Sequence, residues 1–355
     1  MRVAIVCPYD LGAFGGVQDQ CFKLAAWLEE AGHRALVIGP GDAPQGAVSL
    51  GRVRVVSANG AAAPISLRRR VGVDLEAAVA DADVVHVHEP LMPAVSVAAI
   101  RLEGFPLVGT FHADPSRTIR RIYRMGALPL RRRLGGLDVA TAVSPVAAQA
   151  IAGLVSARIV PNGLDTSSFD GGPKRPLSVG FVGRDDPRKG LDVLLAAWPE
   201  VLAAIPEATL RVVSAGIRES ISGVEFMGAV DETTKRAVLA ETRVMCAPNV
   251  SGESFGIILV EAMASRCAVV ASALPAFVNV LGDTGVLVKP GDAAGLAGAL
   301  IRLLRDPDGA ERMAASSFQR AQRYDRDSVL AGYLDAYRDA IAAHELRVSG
   351  VESGG

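Results

Sequence analysis

Residues 177–183 read LSVGFVG, and they restart a pattern that residues 2–8, RVAIVCP, had begun. Each is a short apolar run closed by glycine or proline, which reads as a buried strand ending in a turn. After the first run come QDQCFKLAAWLEEAG (18–32) with helical spacing, then RALVIGP (34–40), DVVHVHEP (83–90) and LVGTFHA (107–113). After the second come TLRVVSA (209–215), RVMCAP (243–248) and CAVVAS (267–272). Strands that alternate with amphipathic helices predict parallel sheets with helical crossovers, and the restart predicts two of them. The expected fold class is therefore α/β, with two Rossmann-like doubly wound domains facing a cleft.

The Gly/Pro-rich passage PNGLDTSSFDGGPKRP (161–176) separates the two series. It sets the expected domains at 1–172 and 173–325. Val329, Tyr333, Tyr337 and Ile341 recur every fourth residue and predict a one-faced helix over 326–346, expected to pack back on the N-terminal domain. Residues 347–355, ending in SGVESGG, read as a frayed tail.

At 355 residues the chain exceeds what one core usually organises, and half of its residues are hydrophobic. The 37 basic residues balance 38 acidic ones, which argues against a nucleic-acid-binding surface or an acidic tail. Cys7, Cys21, Cys246 and Cys267 form no C-x-x-C pair and lie in apolar segments, so buried reduced thiols and a cytoplasmic location are expected. The opening MRVAIVCPYD reads as a strand rather than a signal peptide. Val139–Ala157 is uncharged, yet TAVSPVAAQAI reads as a strand end followed by a Ser-Pro helix start, not a membrane span.

Ligands of open α/β sheets lie beyond the carboxyl ends of the strands, so the loops there carry the candidate sites. CPYDLGAFGGVQ (7–18) offers Gly12, Gly15 and Gly16 for a close approach to a phosphate, or simply a turn. GRDDPRKG (183–190) offers Arg184, Arg188 and Lys189 to neutralise a diphosphate, or a solvated charged loop. GESFGIILVEAM (252–263) brackets a hydrocarbon stretch with Glu253 and Glu261. On a helix begun near Ser254, eight residues cover roughly 12 Å and return to within about 80° of one face. The two acids could then grip the ends of a nucleotide sugar, Glu253 at the hexose and Glu261 at the ribose. The free N–H groups of Phe255, Gly256 and Ile257 would meet the diphosphate. The alternative is Glu253 as a cap and Glu261 as a partly exposed helix residue. His86 and His88, two apart on a strand, could face one way as metal ligands do, but no third ligand is spaced to help and packing or loop hydrogen bonding is favoured; His112, at the end of LVGTF, is either functional or structural. No metal site is evident.

In combination, CPY…GGVQ, HVHEP, GTFH, VPNGLD, GR…PRKG, SGESFGI and the E-x7-E spacing resemble the family 4 retaining glycosyltransferases of the two-Rossmann (GT-B) fold, from RVAIVCPYD to about Tyr337. Within that family they resemble the phosphatidylinositol mannosyltransferases. The resemblance implies a catalytic set of His112, Arg184, Lys189 and Glu253, with Arg184 and Lys189 on the diphosphate and Glu253 on the hexose. It implies donor contacts from Gly16, Phe255, Gly256, Ile257, Ile258 and Glu261, with Val230, Glu232 and Lys235 at the nucleobase. Tyr9, Gln18, His112 and Arg117 would face the acceptor.

The implied reaction is transfer of a hexose, mannose from GDP-mannose being favoured, to a phosphatidylinositol-type lipid at the cytoplasmic membrane face. The nucleotide sugar is a substrate, and no cofactor, metal or nucleic acid is implied. An anionic lipid surface would meet Arg68, Arg69 and Arg70 together with Arg120, Arg121 and Arg124. Rival readings are a UDP-sugar or soluble-acceptor transferase, a nucleotide-sugar epimerase and a non-catalytic nucleotide-binding module, the last disfavoured because both halves of the expected cleft retain their polar residues. The chain departs from the mannosyltransferases in a shorter spacing from Arg184 to PRKG and a shorter Ser214–Glu225 stretch. It also has Arg266-Cys267 in place of Gly-Thr after the E-x7-E helix, and a basic segment reduced to SLRRRVG (66–72). A non-glycine residue at a left-handed cap such as Arg266 costs about 1 kcal/mol.

Overall fold

A computed structural model describes residues 1–13, 15–51, 53–58, 61–66, 71–169, 171–216 and 219–352. The chain divides into two units, Met1–Asn162 with Asp327–Gly355, and Gly163–Arg326. The first holds a seven-stranded sheet. Its order is Ala47–Ser49, Arg34–Gly39, Arg2–Val6, Val84–His88, Leu107–Phe111, Val139–Ala142 and Arg158–Ile159, and every pairing is parallel. The second holds a six-stranded parallel sheet in the order Val224–Gly228, Thr209–Val213, Ser178–Val182, Val244–Ala247, Ala268–Ser272 and Val286–Val288. A separate antiparallel hairpin pairs Val53–Ala58 with Ala61–Ser66.

Both sheets grow outward in two directions from their first strand. Arg2–Val6 lies between Arg34–Gly39 and Val84–His88, and Ser178–Val182 lies between Thr209–Val213 and Val244–Ala247. Crossovers leave these strands in opposite senses, which opens a crevice at their carboxyl ends where ligands of such sheets bind. The loops that meet there are residues 7–13 and the exit of His88 in the first unit. In the second unit they are Gly183–Gly190 and 248–256.

Apolar strands buried on both faces make the two cores. Ile5, Cys7, Cys21, Leu24 and Leu28 pack with Val329, Tyr333 and Tyr337 of the C-terminal helix. Phe181, Leu194, Trp198 and Leu300 centre the other core, where Trp198 Nε1–H donates to the Ser222 carbonyl at 3.1 Å. All four cysteines are free and buried, as their apolar surroundings predict. The Ser-Pro start is found where expected. Ser144 Oγ accepts from Ala147 N–H at 3.1 Å, and Pro145 opens the helix Pro145–Ile151. Among the described residues no helix is long and apolar enough to cross a membrane.

Three boundaries differ from expectation. The units divide after Asn162 rather than 172, because the Gly/Pro passage is tied into the second unit. Leu164 N–H donates to the Tyr324 carbonyl at 3.1 Å, Thr166 N–H donates to Asp325 Oδ1 at 3.0 Å, and the Arg236 guanidinium lies 5.0 Å from the Phe169 ring centre. The C-terminal helix runs Arg326–Glu352, beyond the expected frayed start at 347. Arg347 there bonds the Asp138 carboxylate, and Ser349 Oγ–H donates to the Glu345 carbonyl at 2.9 Å. Finally, the helix of the E-x7-E segment begins at Ile257, not Ser254. Gly256 has φ 98°, a left-handed value outside the helix, and the Phe277 ring fills the space where a Cβ would stand.

Candidate functional site

In the second unit, two loops are sewn together at the switch point. Val250 N–H donates to the Arg188 carbonyl at 2.8 Å. Gly190 has φ 73° and leaves no room for a Cβ, which would collide with the Pro248 carbonyl. Lys189 Nζ–H consequently donates to Glu253 Oε2 at 2.8 Å. The same oxygen accepts from Asn249 Nδ2–H at 3.0 Å. Arg184 is exposed. Arg188 instead turns onto its own loop: its Nη2–H donates to Asp186 Oδ2 at 2.6 Å, and this bond is the main cause holding the Asp186 carboxyl down at about 2. Of the three cations in this loop, Arg188 is thus committed locally.

A second lysine–carboxylate centre lies at the other end of the E-x7-E segment. Glu261 is buried within the helix Ile257–Ala264, and Lys235 Nζ–H donates to its Oε1 at 2.9 Å. Lys235 also stands 2.9 Å from Glu232 Oε2. Burial pulls the Lys235 ammonium down, and Glu261 followed by Glu232 outweighs it, leaving the pKa raised. The structure therefore brings Glu232, Lys235 and Glu261 together, and Lys189 with Glu253. Each acid of the E-x7-E segment holds a lysine. Val230 is half-buried in the loop before Asp231, whose Oδ1 accepts from Thr234 N–H at 2.7 Å and caps that helix. The Phe255 side chain is core, meeting Tyr324 edge-on at 5.6 Å, so only its backbone is placed to serve a ligand. Ile257 and Ile258 are half-buried at the helix start, and Leu259 N–H already donates to the Gly256 carbonyl at 2.9 Å.

Arg266 has φ 56°, the left-handed value that its place after the helix predicts. Its guanidinium lies 3.9 Å from the centre of the Phe318 ring, an attraction of about 1 kcal/mol that offsets the backbone strain. The stretch after Ser214 includes residues 217 and 218, which lie outside the described residues.

In the first unit, the loop after Arg2–Val6 is pinned by Asp10, whose Oδ1 accepts from Gly12 N–H at 2.9 Å. Gln18 is buried and folds back, its Nε2–H donating to the Asp10 carbonyl at 3.2 Å. A Cβ on Gly16 would meet nothing within 4 Å, so packing within the protein does not require glycine there. Tyr9 is half-buried, and burial, followed by Glu89, raises its phenol pKa well above the ordinary value. Arg117 begins the helix Arg117–Met125, but its side chain lies outside what the structure describes, as do Arg68, Arg69 and Arg70.

Three histidines of this unit, His86, His88 and His112, divide into two roles. His86 is buried between Tyr337, 2.8 Å from its Nδ1, and Thr110, 2.6 Å from its Nε2. Burial lowers its pKa to about 3, so it is a neutral packing residue that ties the C-terminal helix to the sheet. His88 Nδ1 lies 2.7 Å from His112 Nε2. His88 Nε2 is buried without a partner among the described residues. A bare buried lone pair is cheaper than a buried unpaired N–H, so the proton of His88 belongs on Nδ1, donated to His112. His112 then carries its own proton on Nδ1, and burial holds the ring neutral, with a pKa near 4 that the Asn162 side chain only partly restores. In this tautomer the His112 Nδ1–H is a donor.

Asn249, His88 and Glu89 were not singled out from the sequence as site residues. For Glu89 a signal existed: a carboxylate in HEP at the carboxyl end of a strand beside the switch point.

The sequence model described as Glycosyltransferase Family 4 matches residues 14–168, and that described as Glycosyl transferases group 1 matches residues 176–306. The chain is 37% identical to the phosphatidyl-myo-inositol mannosyltransferase of Mycolicibacterium smegmatis, covering 99% of this chain and 97% of that one. Its fold superposes on sucrose-phosphate synthase from Thermosynechococcus elongatus with a TM-score of 0.71 at 22% identity, over 96% of this chain and 99% of that one. Anabaena HepE, solved in complex with UDP, gives 0.74 at 17% identity over 94% and 99% of the two chains. Two Rossmann-like parallel sheets and near-full-length identity above 30% lead to one conclusion: the chain belongs to the family 4 glycosyltransferases and is a glycosyltransferase.

Proposed function

We propose that this enzyme is a retaining mannosyltransferase that moves mannose from GDP-mannose to the inositol headgroup of a phosphatidylinositol lipid at the cytoplasmic face of the cell membrane. The observation that carries the reading is the near-full-length identity to the M. smegmatis protein of that name. The donor is assigned to the Gly163–Arg326 unit and the acceptor to the other.

Lys189, Arg184 and the helix start at Ile257 stabilise the charge that develops on the departing diphosphate. Glu253, held by Lys189 and Asn249, orients the hexose, and Glu261 receives the ribose hydroxyls. Val230 and the Glu232–Lys235 pair border the base. The bond from the sugar's anomeric carbon to the diphosphate breaks, an acceptor hydroxyl oxygen bonds to that carbon on the same face, and its proton passes to the diphosphate, leaving GDP. Tyr9, Gln18 and the Nδ1–H of His112 serve the acceptor side. No metal is assigned to the reaction, and transfer is expected to persist with a chelator present.

Membrane attachment is supported by one surface of the first unit. Ile122, Met125 and Leu128 are 54%, 79% and 62% exposed on the helices Arg117–Met125 and Ala127–Leu134. Arg121, Arg124, Arg131, Arg132 and Arg133 are exposed on the same two helices. Apolar tips among arginines suit an anionic lipid interface, where each basic residue contributes about 1 kcal/mol.

Assays over a donor and acceptor panel test the reading. GDP-mannose with phosphatidylinositol should give the mannosyl lipid with its anomeric configuration retained. GDP should protect the protein against heat more than UDP at equal concentration. Better protection by UDP transfers the assignment to a UDP-sugar. An epimerised sugar formed without acceptor would favour the epimerase.

A further inference from the structure

The loop that carries His112 is held by a carboxylate from the neighbouring strand exit. Glu89 directly follows the strand Val84–His88, and its backbone has φ 48°, a left-handed value that glutamate seldom adopts. Its own N–H donates to the Thr110 carbonyl at 2.8 Å. Its side chain turns to the same neighbouring segment, where Oε1 accepts from the N–H of His112 at 2.6 Å and of Ala113 at 2.7 Å. The residue is 7% exposed, and among the described residues no basic side chain pairs with it. An unusual backbone, a buried acid without a counter-charge and two short bonds to consecutive amides are more than local packing requires. Strain of this kind collects where geometry serves function.

We propose that Glu89 is a positioning residue for sugar transfer: its carboxylate fixes the backbone of His112 and Ala113 and so aims the His112 imidazole at the acceptor. This rests on the placement of His112 on the acceptor side in the proposed function. The titratable groups that face Glu89 are the phenols of Tyr9, from the loop after Arg2–Val6, and of Tyr123, from the helix Arg117–Met125, with the neutral His112 ring beyond. Neither phenol titrates near neutrality. Burial, opposed by the two amide bonds, raises the Glu89 carboxyl to about 7, so the ionised acceptor of these bonds forms near neutrality.

The experiment compares the full-length wild type with Glu89→Gln and Glu89→Ala. Turnover and both KM values are measured between about pH 5.5 and 8.5, and exchange of the His112 and Ala113 amides is measured without substrate. The glutamine amide oxygen can still accept both N–H groups, whereas alanine cannot. Glu89→Ala should lower kcat by about 100-fold, the scale of a 1 Å misplacement, with the donor KM within about twofold of wild type. Glu89→Gln should recover only what a neutral acceptor can, the level of wild type below about pH 7, and should lack the rise in kcat expected of the wild type as pH passes about 7. The two amides should be protected in wild type and Glu89→Gln and should exchange at least about tenfold faster in Glu89→Ala.

Wild-type kcat in Glu89→Ala, or the same pH profile in Glu89→Gln as in wild type, would overturn the proposal. If Glu89→Ala does not fold, the profile and amide protection of Glu89→Gln decide alone. A wild type that transfers a different sugar or uses another acceptor overturns the lipid reading, and the three proteins are then compared with that substrate.

Discussion

Lys189 Nζ lies 2.8 Å from Glu253 Oε2, a bond that joins the loops after the first and fourth strands of the second sheet. The two side chains are 23% and 15% exposed, so the pair is reachable by a ligand and is not a fully buried ion pair. Glu253→Ala should lower turnover by at least about 100-fold, the scale of a lost transition-state contact, while the melting temperature changes by only a few degrees. Wild-type turnover in the purified variant would remove Glu253 from the catalytic set.

Glu261 is only 5% exposed and holds Lys235 at 2.9 Å. A contact to the ribose is made equally in the ground and transition states, so its loss should raise KM and spare kcat. Glu261→Gln should raise the donor KM by about tenfold and reduce the thermal protection given by GDP. A fall in kcat at unchanged KM would place Glu261 nearer the reacting atoms.

Tyr337 belongs to the C-terminal helix, and its Oη lies 2.8 Å from Nδ1 of the buried His86. Tyr337→Phe keeps the ring and removes the partner, leaving a buried imidazole nitrogen unsatisfied at a cost of about 1–3 kcal/mol. Urea unfolding should show that loss with an unchanged slope. A difference below about 0.5 kcal/mol would mean that His86 finds another partner.

His86 and His112 have folded pKa values lowered by burial to about 3 and about 4, and His88 is lowered as well. The unfolded rings take up protons near 6.5, so their stabilising contribution is complete above that value and is lost as pH falls toward about 4. Glu89 acts in the opposite sense. Its pKa is raised from 4.5 to about 7, so stability is lost as pH rises through that window. The shifts of His86, His112 and Glu89 each correspond to roughly a few kcal/mol. Relative to wild type, Glu89→Gln should therefore gain stability as pH rises from about 4.5 to about 7. Parallel urea titrations of the two proteins that keep a constant offset would contradict the buried, proton-holding Glu89.

The order of residue types was enough to read both sheets, because a strand covered on both faces must be apolar and a crossover helix must carry one apolar face. RVAIVCP and LSVGFVG mark the first strand of each sheet, and Ser144-Pro145 marks a helix start through a cap that spans a single turn. Arg266 was also legible, since the left-handed position after a helix is set by the residues next to it. These signals are local.

The partners of the charged groups were not legible. The spacing of Glu253 and Glu261 is the same whether they face solvent or lysine. Only the parallel pairing of Ser178–Val182 with Val244–Ala247 brings the loops of Lys189 and Glu253 together. HEP likewise contains nothing to say that Glu89 turns back onto amides 23 and 24 residues along the chain. The Gly/Pro passage looked like a linker by composition and became part of the second unit through bonds to Tyr324 and Asp325. Strand and cap propensities depend on neighbours within a few residues, whereas a hydrogen-bond partner depends on the register between strands far apart in the chain. That register is settled only when the two faces of each sheet are buried.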